Sequence, residues 1–293
     1  MKITIKNKFA SATIDTLGAE LKSWIDNNGK EYMWSGDPAY WGGVSPLLFP
    51  MISNLRNGKT MINGKEYEIP KHGIVRREEF QVIEQKEDKA VFSISYTEES
   101  LKAFPFPFNL RLTYELKEDI LSMVYDVYNL GDQEMYFHIG AHPAFQCPMF
   151  EGEKFSDYVL KFEQKETSFS PVYDLKNSCI SNENRICRME NSDTLAFDYP
   201  SFENDALIFD DLKSRKVSLI NPAHGKGVEV DFNSFDVIAF WNPNNEAPFL
   251  CIEPWNGSAI YSDEDNEFKN KRCIQTAEPF GHKSYELKMR ILN

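Results

Sequence analysis

Strand-like alternation recurs along nearly the whole chain, and it constrains the fold more than any other feature. The runs KITIKN, KAVFSISYT, LRLTYELK, LSMVYDVYN, KVSLI, GVEVDF, DVIAFW and YELKMRIL set apolar side chains at alternate positions. In the last of them Leu287, Met289 and Ile291 share one face. Turn residues separate the runs at short intervals, and Asn63-Gly64 within TMINGKEYEI carries the signal of a tight hairpin. Helical signals are brief; the best, TEESLKAF, is stopped by Pro105 and Pro107. No repeat, low-complexity segment or linker breaks the pattern. The expectation is an all-β fold, a large antiparallel β-sandwich built as a single domain over residues 1–293.

Composition narrows the function classes. A net charge of -13 repels phosphate backbones and argues against nucleic acid as a partner. No apolar run approaches the ~20 residues of a membrane helix, so no membrane partner is expected. The opening MKITIKNKFASATID reads as a first strand and not a signal peptide, and the cytoplasm is the simplest compartment. The five cysteines, Cys147, Cys179, Cys187, Cys251 and Cys273, are scattered without a C-x-x-C pair and read as ordinary thiols. The histidines lack the short pairing with a carboxylate of a helix-borne metal site, and no metal is expected.

Four stretches put polar groups of catalytic type into apolar or turn-rich surroundings. SMVYDVYNLGDQEMYFHIG reads as two strands of a hairpin turning at Asn129, Gly131 and Asp132, and the second strand ends on His142-Pro143. Proline cannot donate to a sheet ladder, so His142 should sit where the strand leaves its sheet. His138, four residues earlier, would lie on the same face ~13 Å away, as a packing or hydrogen-bonding residue. In PFLCIEPWNG, Glu253 ends an apolar strand, where a carboxylate costs several kcal/mol to bury unless paired, hydrogen-bonded or protonated. His72 stands next to a glycine in IPKHGIVRREEF, and Arg56 follows a run that should be buried in SPLLFPMISNLRNGK. Each has a structural reading when taken alone: a tied-down buried Glu253, a satisfied core His142, a His72 bracing a turn, an Arg56 in an ion pair.

Taken in order, YWGGVSPLLFPMISNLRNGK, HGIVR, GAHPAF and IEPWNG resemble the aldose 1-epimerase (galactose mutarotase) family, most of all its LacX-like bacterial branch. The resemblance covers essentially the whole chain. It implies a galactose mutarotase-like β-supersandwich, a sugar-binding cleft and no cofactor. It also implies interconversion of the α and β anomers of a hexose such as galactose or glucose by acid/base ring opening and closing. The family's general acid falls on His142, its general base on Glu253 and its assisting histidine on His72. Its sugar-binding arginine matches Arg56, and its sugar-binding aspartate matches Asp205, with Asp210 the nearest competitor. Trp241, Trp255 and Trp41 offer apolar faces to a sugar, with core packing the role of at least one. Family members are monomers or homodimers.

The residue types also make chemical sense without the family. Mutarotation needs a proton taken from the C1 hydroxyl and one delivered to the ring oxygen, which a carboxylate and a histidine supply, each at roughly 10²- to 10⁴-fold. His72 and Arg56 would stabilise developing charge and fix the pose. In the branch acting on hexose 6-phosphates, the position of Trp41 looks like an arginine that helps to hold the phosphate. The missing charge favours an unphosphorylated aldose here, while Lys71, Arg76 and Arg77 keep the phosphorylated alternative open. A sugar-binding protein without turnover is the rival from another class. A glycoside hydrolase fits less well, because it would pair two carboxylates across the bond.

Overall fold

The computed structural model describes residues 1–293, with the side chain at position 182 left out. Two antiparallel sheets dominate. The larger has nine strands in the order 179–196, 159–174, 216–220, 227–231, 282–292, 120–129, 108–117, 89–95 and 81–85. Its strands alternate as the sequence requires: in Phe108–Lys117, residues 108, 110, 112, 114 and 116 are all buried.

The second sheet has six strands, and it carries the site. Leu207–Phe209 pairs with Val237–Trp241, which pairs with Phe249–Asn256, the sheet's central strand. Ile139–Ala141 follows on that strand's other edge, then Leu47–Leu48, while Ala144–Gln146 also pairs with the central strand. One face of this sheet, with Phe209, Ile238, Phe240, Leu250 and Ile252, joins the main core shared with Leu110, Leu112 and Leu287 of the larger sheet. Burying each such side chain contributes about 1.5–3 kcal/mol. The opposite face carries Ile208, Ala239, Glu253 and Trp255, so every residue of Phe249–Asn256 is buried.

Other local expectations meet the structure at several points. Lys59–Ile62 and Lys65–Glu68 form the hairpin around Asn63-Gly64, both at positive φ. Glu98–Ala103 is a helix whose N-cap Thr97 exchanges reciprocal hydrogen bonds with Ser100. The hairpin expected around Asn129–Asp132 does not form. Ile120–Asn129 has both edges occupied, by Phe108–Lys117 and His282–Leu292. Met135–Phe137 pairs instead with Gln275–Ala277. A local turn signal cannot reveal that partners distant in sequence have filled a strand's edges. No helix among the described residues is long and apolar enough to cross a membrane.

Candidate active site

The site begins with a break in a strand. Pairing with Phe249–Asn256 runs through Gly140↔Trp255, lapses at His142-Pro143 and resumes at Ala144↔Cys251. The register is the same on both sides of the gap, so His142 stands directly opposite Glu253. The amide of Ile252 still donates to the Pro143 carbonyl at 3.0 Å, which holds the two backbones together across the break. Direct cross-strand neighbours have Cβ atoms about 4.5–5.5 Å apart, and here the side chains meet: His142 Nε2 lies 3.3 Å from Glu253 Oε2.

Both groups are enclosed, His142 at 7% and Glu253 at 2% exposure. Burial lowers the His142 pKa to about 3, helped by the Lys71 and Arg76 charges. Burial likewise raises Glu253 well above the usual carboxylate range, with the Asp205 charge acting in the same direction. Against that trend act the Lys71 charge and then the indole of Trp255, close enough to lower the Glu253 pKa, although its N–H lacks the geometry of a hydrogen bond. Burial thus disfavours the charged form of each partner.

Aromatic rings complete the enclosure. The Trp41 ring stacks on His142 at 4.9 Å and 23°, and Trp241 meets His142 edge-on at 5.7 Å. Trp41 is held by its loop: its carbonyl accepts from the Trp34 indole at 2.9 Å. Further along, Glu20 Oε1 accepts from the amides of Val44 and Ser45 at 2.7 and 2.9 Å.

His72 arrives on a tight turn whose shape depends on Gly73. Gly73 has φ +83°, and an added Cβ would stand 1.9 Å from the Phe49 carbonyl oxygen, so only glycine fits. His72 itself has φ +63° and is tied twice to Ser53. Its amide donates to the Ser53 carbonyl at 3.0 Å, and the Ser53 amide donates to Nδ1 at 3.2 Å. With Nδ1 accepting, the neutral ring carries its proton on Nε2. Enclosure, then the His142, Lys71 and Arg76 charges, push the His72 pKa well down and keep the ring neutral.

Together these residues line a cavity of about 300 Å³, at the small end of ligand pockets. Trp41, His72, Arg76, His142, Asp205, Trp241, Glu253 and Trp255 are all on its wall, with Ser53, Lys71 and Tyr173. A cavity of about 360 Å³ behind the same turn shares Lys71 and Arg76 but has no acid/base pair.

Asp205 and Asp210 separate clearly. Asp205 faces the cavity, whereas Asp210 pairs with Arg185 and accepts from the Tyr261 hydroxyl at 3.2 Å. Arg56 is not brought into the cavity. It sits on the short turn Arg56–Gly58, where Nη2 donates to the carbonyls of Tyr261 and Ser262 at 3.2 and 3.1 Å. The guanidinium is occupied by backbone carbonyls of the loop that follows Phe249–Asn256. The cations on the wall are Lys71 and Arg76. Tyr173 was missed by sequence reasoning, because nothing local in FSPVYDLKN marks a cavity residue. His138 packs away from the cavity, against Phe268 and the Gly257 backbone.

The aldose 1-epimerase family profile matches residues 1–275. The chain belongs to the aldose 1-epimerase family. The plasmid-encoded protein LacX of Lactococcus lactis subsp. lactis is 37% identical over the full length of both chains. Among solved structures, a galactose mutarotase related enzyme from Lactobacillus acidophilus superposes with a TM-score of 0.94 at 29% identity, covering 100% of this chain and 98% of the other. A galactose mutarotase-like protein from Lactobacillus casei gives 0.92 at 28%, covering 99% and 100%. The fold of this aldose 1-epimerase family member is thus the galactose mutarotase-like supersandwich that the resemblance implied, and an antiparallel all-β architecture as the strand pattern anticipated.

Proposed function

We propose that the protein is a mutarotase that interconverts the α and β anomers of an aldohexose such as galactose or glucose. The observation that carries this reading is the in-register His142–Glu253 pair, 3.3 Å apart, on the wall of a cavity sized for one sugar ring. Two such groups and one mobile proton are what ring opening needs.

In the productive form the pair's proton lies on His142. Glu253 takes the proton of the C1 hydroxyl while His142 delivers its own to the ring oxygen. The C1–O5 bond breaks and C1 becomes a carbonyl. Rotation about C1–C2 presents the other carbonyl face, O5 returns its proton to His142 as it closes, and Glu253 reprotonates O1. The pair ends as it began. His72, neutral with its proton on Nε2, donates to the ring oxygen or a neighbouring hydroxyl. Asp205 accepts from sugar hydroxyls, Arg76 donates to them, and Trp241 offers its ring to the C–H face. Arg56 acts from outside by holding the 261–262 backbone.

The chain works as one domain in the cytoplasm, as a monomer or homodimer, without nucleic-acid or membrane partners. Its acidic charge and five free cysteines suit that setting.

A second reading, mutarotation of a hexose 6-phosphate, is favoured by one observation. Lys71 and Arg76 line the cavity and Arg77 lines the adjoining one, none of them in an ion pair among the described residues, in a chain with a large acidic excess. Polarimetry tests both. Freshly dissolved α-D-glucose and α-D-galactose, then their 6-phosphates, are followed toward equilibrium with the protein. Acceleration on the free sugars supports the first reading. Acceleration only on the phosphates, with KM raised by Arg76→Gln, supports the second. A folded protein silent on all of them would be a sugar binder without turnover.

A further inference from the structure

We propose that the thiol of Cys251, together with His142 and Glu253, forms a site for a thiophilic divalent cation, Zn²⁺ above all. Bound there, the ion is a reversible inhibitor.

Cys251 is a buried thiol that the mutarotase chemistry leaves without a task. Alternation along Phe249–Asn256 puts Cys251 and Glu253 on one face, and His142 comes from the facing strand. One donor atom from each residue, a nitrogen, a sulfur and an oxygen, lies within 4.8 Å of the other two, and all three residues are buried. The 3.3 Å between His142 Nε2 and Glu253 Oε2 is the edge of a tetrahedron with bonds of about 2.0 Å, the length of Zn–N and Zn–O bonds. A mixed imidazole, thiolate and carboxylate set suits Zn²⁺ and disfavours Mg²⁺ or Ca²⁺, which take oxygen donors. Three protein donors leave a fourth position for a water or a sugar hydroxyl.

Coordination replaces protons by metal bonds. As Zn–S, Zn–O and Zn–N bonds form, the thiol proton and the proton shared by His142 and Glu253 leave to solvent, and binding weakens as pH falls. The ion then occupies acid and base at once. The inhibitory consequence rests on the mutarotase reading, but the binding does not. A search for helix-borne pairs passes over this cluster because its donors are two residues apart on one strand and opposite on the next.

The test uses the full chain, with Zn²⁺ in calorimetry and Co²⁺ in absorption. The expected results are one ion per chain, a thiolate-to-cobalt charge-transfer band, and mutarotation that Zn²⁺ stops and EDTA restores. Cys251→Ser should weaken Zn²⁺ by about 100-fold or more, since even outer-shell changes cost about 10–100-fold, while the rate in EDTA stays unchanged. Equal Zn²⁺ affinity in parent and Cys251→Ser would overturn the proposal, as would a Co²⁺ complex without the thiolate band. Should the serine variant not fold, the cobalt spectrum of the parent decides. Should the parent show no mutarotation, calorimetry and the cobalt band still decide whether the site exists.

Discussion

Two histidines four residues apart, His138 and His142, occupy the same strand pair under nearly the same conditions. Both are buried, and burial lowers each pKa to about 3. The register through Ile139↔Asn256 and Gly140↔Trp255 gives them different partners. His138 stands opposite Gly257, whose backbone is so close that an added Cβ would meet the ring at 2.5 Å. His142 stands opposite Glu253, with a cavity beside it. On the proposed reading, burial and a displaced pKa therefore do not distinguish a working histidine from a packed one. A titratable partner within reach, and space for a substrate between them and solvent, do.

The largest effect should come from removing the partner. Glu253→Gln and His142→Asn should each slow mutarotation by about 10²- to 10⁴-fold, whereas His138→Gln should leave the rate per folded molecule nearly unchanged. Equal losses at the two histidines, measured by polarimetry on folded protein, would erase the contrast. Gly257→Ala probes the packed side. The methyl group would collide with the His138 ring at a backbone φ of +149°, and denaturant titration should show a loss of about 1–3 kcal/mol. Shortening His138 to alanine in the same chain should recover part of that loss, because the two sites touch.

The pH profile sharpens the comparison further. In the proposed mechanism the pair works with one proton, so activity should fall on the acid side only when a second proton loads and on the alkaline side when the first leaves. Burial opposes both charged extremes, lowering His142 and raising Glu253. With EDTA present, kcat/KM should stay flat through pH 6.5, where an ordinary imidazole titrates. A single acid limb centred at 6.5 would contradict the shared-proton description.

The smallest effect concerns stability. The folded His138 pKa lies below its unfolded value of about 6.5, so the unfolded chain binds more protons between that value and about 3. Its contribution is fully present above pH 6.5 and is lost as pH falls toward 3. Glu253 has the opposite sign: raised in the fold, it favours folding at low pH and loses that contribution as pH rises through its folded pKa. His138→Leu should therefore flatten the loss of stability on acidification, by at most about 1.4 kcal/mol per pH unit. Denaturant midpoints of both chains between pH 7 and 4 measure it.

The sequence by itself determined the class of fold and where its strands break. Alternation is a local property, so runs such as LRLTYELK and KVSLI declare strands wherever they pair, and Pro143 cannot donate a ladder bond whichever strand lies opposite. A carboxylate ending FLCI marked Glu253 for the same local reason. Strand partners were decided only by the tertiary structure. Which edge Ile120–Asn129 offers, and so whether a hairpin follows it, depends on residues 282–292 far along the chain. The positions of the arginines were decided there too, because Arg56 turns to carbonyls more than two hundred residues away while Arg76 lines the cavity. So was the placing of Cys251 beside His142, since proximity across a sheet follows from register, which no single stretch of sequence contains.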